Sequence, residues 1–204
     1  SRGATTIWEE FHAEFIKTGQ VPVQTSPLTP LGNVSSWVAQ DLGTESTAFS
    51  HSITCATAAH SILNAIAWLE SGMATSFIAG GTEAPLTDFT IAQMKALRIY
   101  SKENGEYPCR ALDLNKSSNQ MILGEAAACM LLSKERSQNG IKITGYGTAI
   151  EQLKSATSMS SQGLGFQKSM KQAIGKISLE EIDAIITHAP GTIQGDASEM
   201  AAIT

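Results

Sequence analysis

Between Thr47 and Gly72 the sequence changes its period, and a cysteine stands at the change. The run Thr47-Ala48-Phe49-Ser50-His51-Ser52-Ile53 has strand character. From Ala56 to Gly72 the apolar residues Ile62, Ala65, Ile66 and Leu69 recur at helical spacing. Cys55 therefore falls at a strand-to-helix turn, at the head of a helix. Unpaired N–H groups and the macrodipole favour negative charge at that end. A free thiol with pKa about 8.5 is only a few per cent thiolate at neutral pH. A favourable helix end contributes up to about 2 kcal/mol, and about 1.4 kcal/mol is a tenfold change in ionisation. The turn is thus a setting for a reactive thiolate. A small, inert core residue is the ordinary alternative for a lone cysteine, and position alone leaves both readings open.

The flanking segments extend the pattern. Ala74 to Ala79 is an apolar run ending in Gly80-Gly81, read as a buried strand and a tight turn. Strand, helix and strand in that order predict a parallel βαβ unit with Cys55 at the carboxyl end of its first strand. Open α/β sheets bind ligands at that end. Upstream, Thr6 to Lys17 reads as a helix with Ile7, Trp8, Phe11 and Phe15 on one face and Gly19 as its stop. Thr29-Pro30 opens a second helix through Asp41, ended by Gly43. Downstream, Asp88 caps a helix to Leu97, Ile99 to Gln120 is irregular, and Gly124-Glu125 leads into a buried strand, Ala126 to Leu132. Lys134 to Gly140 is a polar crossing and the candidate boundary.

A second round follows with no visible sequence repeat. It contains a strand over Ile141–Thr148, a Ser- and Gly-rich loop over Ser155–Gly165 and a helix over Phe166–Gly175. Ser178 caps a short turn bearing Glu180 and Glu181, and Ile182–Thr187 is a buried strand with His188 at its end. A new helix starts at Ala197. His188, like Cys55, is placed where a strand leaves its sheet, so in such a fold both can face one cleft. A cysteine and a histidine so placed suit acyl transfer: the thiolate accepts an acyl group and the imidazole moves a proton or donates to an oxyanion.

Composition removes other classes. A net charge of −5 argues against nucleic acid or an acidic membrane surface as partner. No apolar run approaches the roughly 18 residues of a membrane span, and the start has no signal-type pattern. The three cysteines, Cys55, Cys109 and Cys129, lack metal-type spacing, so no metal site is expected. Their odd number suits a reducing, cytoplasmic compartment.

Five segments together carry a resemblance. Ser52-Ile53-Thr54-Cys55-Ala56-Thr57-Ala58-Ala59-His60-Ser61-Ile62 resembles the active-site cysteine segment of the β-ketoacyl-(acyl carrier protein) synthases. Ile78-Ala79-Gly80-Gly81-Thr82-Glu83-Ala84 resembles that family's A-G-G-T-E turn. Cys109-Arg110-Ala111-Leu112-Asp113 looks like its R-P-F-D segment, and Leu123-Gly124-Glu125-Ala126-Ala127 like its G-E-G-A strand entry. His188-Ala189-Pro190-Gly191-Thr192, with Gly195-Asp196 and Glu199, looks like its H-G-T-G-T…G-D…E signature.

The resemblance implies a thiolase-like, layered α/β/α/β/α fold of two related halves. Residues 1–138 would be the latter part of the N-terminal half and 139–204 the start of the C-terminal half. It implies Cys55 as the acyl-accepting nucleophile, with its backbone N–H in the oxyanion hole. It implies His188 as one of two histidines that assist decarboxylation of a malonyl unit and hold the enolate oxygen. Thr192 is the remaining hydroxyl for contact with the pantetheine arm. No cofactor is expected beyond the phosphopantetheine of the acyl carrier protein, which is the expected partner, and the enzyme is expected as a homodimer or a ketosynthase heterodimer. Ala189 and Pro190 replace the family's Gly-Thr, Ala126 replaces a glycine, and Asn115 to Met121 departs from its basic-aromatic pattern. The family's K-S-x-x-G-H segment, with its lysine and second histidine, is absent from this sequence, which reads as an internal piece of a divergent synthase.

Rival readings are a non-catalytic partner subunit, a non-decarboxylating thiolase-fold acyltransferase, and a cysteine hydrolase. Cys129 is expected in the core, Cys109 in a loop, His51 and His60 in structural roles, and Glu125 beside a cation or backbone amides.

Overall fold

A computed structural model of the chain describes residues 5–152 and 158–204. It divides into two compact units that do not follow linear order: residues 1–91 with 123–138, and 92–122 with 139–204. Each is taken separately.

In the first unit α1 runs Thr5–Thr18 and stops where Gly19 turns left-handed (φ +70°). Trp8 stacks on the exposed His12 across one turn of it, their ring centroids 5.2 Å apart. The expected second helix is shorter and split. A single turn, α2 (Thr25–Leu28), precedes α3 (Asn33–Asp41), so Pro30 lies between helices rather than inside one. Gly43 takes a positive φ after α3, as expected of a stop. The long helix α4 (Thr57–Ser71) also ends as its sequence dictates. Gly72 takes φ +77°, and its N–H donates back to the Leu69 carbonyl.

β1 (Ser76–Glu83) and β2 (Ala126–Ser133) pair antiparallel over their whole length, Ser76 opposite Ser133 and Glu83 opposite Ala126. Three strand expectations are corrected here. The segment 47–53 has no ladder among the described residues, so the parallel βαβ unit is not formed. Gly80 and Gly81 do not turn the chain but continue β1. They are needed because the neighbours come too close for a side chain: a Cβ on Gly81 would stand 2.7 Å from Ala58 Cβ, and one on Gly80 would meet the Ala128 carbonyl. β2, finally, is largely exposed, Cys129 included. α4 covers β1, and Ala65 and Leu69 are buried with Ala79, beside a cluster of Phe49, Trp68 and Phe77. A groove of about 560 Å³ opens between α3, α4 and the sheet, reached by Val38, Trp68, Phe77 and His51.

α5 (Asp88–Ala96) follows the sequence expectation, except that Thr87 and not Asp88 is its cap. The Thr87 hydroxyl accepts the Thr90 N–H (3.2 Å) and lies 2.7 Å from Glu9 Oε1.

In the second unit the irregular stretch after α5 is tied by one parallel bridge, Tyr100 to Met121. The two strands expected at 141–148 and 182–187 run without ladder partners among the described residues. Gly145 and Gly147 instead lie so near α6 (Leu164–Ile174) that a Cβ on either would strike its backbone. The loop expected over 155–165 begins outside the described residues; from Ser158 it is irregular to the head of α6. There Glu151 accepts the Ser160 N–H (3.0 Å) and the Gly165 N–H (3.3 Å). The Ser160 hydroxyl, these two N–H groups and nearby Lys168 hold its carboxyl below the usual carboxylate range, against a smaller upward push from lost hydration. A lowered folded-state pKa stabilises the fold at neutral pH and ceases to do so as the pH falls through it. Ser178 caps the turn Leu179–Glu181 as expected, and Glu181 completes a capping box with it. α7 runs Ile193–Ile203, four residues earlier than expected, because Thr192 caps it.

Candidate active site

Cys55 sits in a 3₁₀ turn, Thr54–Ala56, that runs directly into α4. Its side chain is exposed and in no disulfide. Thr54 before it has φ +49°, a conformation costly for a β-branched residue, on the order of 1–3 kcal/mol. Thr57 holds that turn. Its hydroxyl donates to the Thr54 carbonyl (2.6 Å) and accepts the Ile53 N–H (2.9 Å), and the residue is buried. Thr57 was not singled out from the sequence; its signal was a capping-type residue two positions after the cysteine. Behind the turn, Gly81 brings β1 against Ala58, and the Ser61 hydroxyl lies 2.7 Å from both the Ala58 and Gly80 carbonyls. His60 Nδ1 donates to the Ala56 carbonyl (3.0 Å), which fits a structural role. Glu125 accepts the Leu86 N–H (3.0 Å), so it serves a backbone amide.

Thr57→Val keeps the shape and removes both hydrogen bonds. The expected loss is about 1–3 kcal/mol, with slower alkylation of Cys55 by iodoacetamide. Thermal melting and the alkylation rate check this. A variant matching the native protein in both would show that the hydroxyl does not hold the turn.

His188 belongs to the second unit and is exposed. Its backbone is fixed from α7. The His188 N–H donates to Glu199 Oε1 (2.6 Å) and the Ala189 N–H to Glu199 Oε2 (2.8 Å). Ala189 at φ +42° and Gly191 at φ +75° then bend the chain into the helix. The Gly191 N–H donates to Asp196 Oδ1 (2.9 Å), and a Cβ there would lie 2.9 Å from the Gln120 carbonyl, so glycine is required. Thr192 lies four residues from His188 on this same segment. Its oxygen accepts the Gly195 N–H (3.1 Å) as the cap of α7, which leaves the hydroxyl proton to donate elsewhere.

Asp196 is the centre of this arrangement. Its Oδ2 accepts the Leu112 N–H (2.8 Å) and pairs with Lys116 Nζ at 2.6 Å. The Lys116 and Asp196 side chains are 2% and 0% exposed. Leu112 lies in the segment Cys109–Asp113, so two separate motif segments meet on one carboxylate. The sequence singled out Asp196 and Glu199 but not Lys116, since a lysine in a polar stretch looks like any surface lysine.

Comparison with known proteins agrees with these motifs. Residues 9–138 match the family described as beta-ketoacyl synthase, N-terminal domain, and residues 141–204 match beta-ketoacyl synthase, C-terminal domain. A 3-oxoacyl-(acyl-carrier-protein) synthase 2 of Staphylococcus aureus is 29% identical over 214 aligned positions, covering 98% of this chain and 52% of that protein. The chain thus spans about half the length of such curated relatives. Among solved structures, a chain from a type II PKS complex of an acyl-carrier protein with its ketosynthase superposes with a TM-score of 0.84 at 22% identity, over 98% of this chain and 52% of that one. A chain from a ketosynthase with its chain length factor, from Xenorhabdus doucetiae, gives 0.80 at 23% identity, over 99% and 50%. Among the described residues no helix is long and apolar enough to cross a membrane. The chain belongs to the β-ketoacyl synthase family and has its thiolase-like α/β fold.

Proposed function

We propose that this chain carries out acyl transfer and decarboxylative Claisen condensation between an acyl-Cys55 thioester and a malonyl unit on an acyl carrier protein. The observation that carries the reading is the exposed Cys55 on a strained turn at the N-terminus of α4, where the helix favours a thiolate. The thiolate attacks the carbonyl of an acyl-pantetheine thioester; the new C–S bond forms as the old one breaks, and the departing carrier thiolate takes a proton. The Cys55 N–H donates to the oxygen that gains charge. The malonyl unit then loses CO₂, and the electron pair of the broken C–C bond becomes an enolate, which His188 holds by its oxygen. That carbanion attacks the acyl group on Cys55, forming a C–C bond and returning the thiolate. Thr192 donates to the pantetheine arm. In this reading residues 1–138 belong to the N-terminal half of the synthase and 139–204 to its C-terminal half. The protein works in the cytoplasm as a homodimer or a ketosynthase heterodimer in fatty acid, polyketide or polyene biosynthesis, with no cofactor of its own.

A second reading, a non-catalytic partner subunit, has support from a neighbour solved with its chain length factor. Cys55 weighs against it. One measurement separates the two. Intact-mass labelling of the full-length protein with an acyl-carrier thioester is expected to show one adduct, lost in Cys55→Ala. A folded protein that takes no adduct would exclude the synthase reading and leave the partner subunit.

A further inference from the structure

Lys116 lies outside the five motif segments, on a stretch that departs from the family's pattern, yet its side chain is only 2% exposed. Its ammonium group has two partners, Asp196 Oδ2 at 2.6 Å and the Asp113 carbonyl at 3.0 Å. Asp196 in turn is held by three donors from the protein: Leu112 N–H and Lys116 on Oδ2, Gly191 N–H on Oδ1. Burying a carboxylate this completely is costly unless a charge and donors replace its water. Arg110 and Asp113 form the other described ion pair of this unit, and that pair is largely exposed. Lys116 is therefore the countercharge buried against Asp196, and Asp196 is what fixes the Gly191 N–H.

The segment 188–191 needs that anchor. It contains two left-handed residues, Ala189 and Gly191, with Pro190 between them. Glu199 grips its first two N–H groups and Asp196 its last. The two carboxylates stand three residues apart on α7, so they act as adjacent clamps on one strained loop. Gln120 reinforces the same point, its N–H donating to the Gly191 carbonyl (2.8 Å).

We infer that Lys116 is a positioning residue: by neutralising Asp196 it sets the loop that presents His188, and through it the decarboxylation step. The consequence for decarboxylation rests on the function proposed above; the consequence for the loop does not.

The test uses Lys116→Met and Lys116→Arg in the full-length protein, with two readouts. Hydrogen exchange by mass spectrometry on peptides spanning 187–192 reports the loop. Release of CO₂ from a malonyl-carrier thioester reports His188, with acylation of Cys55 as the internal control. In Lys116→Met, loop exchange is expected to rise about tenfold or more, and decarboxylation to fall about 10²-fold, the cost of a misplacement near 1 Å. Acylation of Cys55 stays near native, and Lys116→Arg restores part of the loss. If Lys116→Met fails to fold, Lys116→Met/Asp196→Asn removes the unpaired charge and keeps both readouts. Unchanged loop exchange would overturn the inference, as would a loosened loop with native decarboxylation. A native protein that releases no CO₂ defeats the proposed function instead, and loop exchange still decides whether Lys116 holds the loop.

Discussion

His188→Ala is expected to lower malonyl decarboxylation by about two to four orders of magnitude while one acyl group still adds to Cys55. The reason is the division of labour at this residue. Glu199 holds His188 by its backbone N–H, and that contact survives truncation of the side chain. The neighbouring Ala189 N–H to Glu199 also survives. The loop therefore keeps its shape, and what is lost is the imidazole itself. Intact-mass measurement of the acyl adduct, paired with CO₂ release from a malonyl-carrier thioester, checks both halves of the statement. Native decarboxylation in the variant would remove His188 from the mechanism.

Asp196→Ala is expected to cost about 3–5 kcal/mol, the range for breaking one side of a buried ion pair. It strands the Lys116 ammonium and two backbone N–H groups, those of Leu112 and Gly191, in a buried site. No discount for solvent screening applies, because the pair is 2% and 0% exposed. At about 2–4 °C per kcal/mol for a chain of this size, the Tm falls by about 6–20 °C. Differential scanning calorimetry of the native and variant proteins measures it. A shift within about 2 °C would mean that the pair contributes no net stability. Asp196→Asn keeps an acceptor for Gly191 and is expected to fall between the two.

The helices were the most legible part of the fold. α1, α4, α5 and α6 lie where apolar spacing, capping residues and glycine stops placed them, because those signals are local and act within a few residues. The strands were less legible. The segments 47–53, 141–148 and 182–187 read as strands, yet Ile141 and Ile186 are 99% exposed and no ladder forms on these runs among the described residues. A strand exists only with a partner, and the sequence of one segment does not name its partner. Gly80-Gly81 shows the same limit. Two glycines after an apolar run suggest a turn, while here they allow α4 and β2 to approach β1 without collision.

The sequence by itself determined the family, the candidate nucleophile, the candidate histidine and the carboxylates Asp196 and Glu199, because each sits in a short motif whose residue types and spacing carry chemistry. Only the tertiary structure decided what holds them. Thr57 closes the strained turn ahead of α4, and Lys116 meets Asp196 from 80 residues away. Such partners are chosen by burial: in a dry interior each N–H, hydroxyl and charge must find a counterpart, and the counterpart is supplied by whichever segment the fold brings alongside, at any distance along the chain.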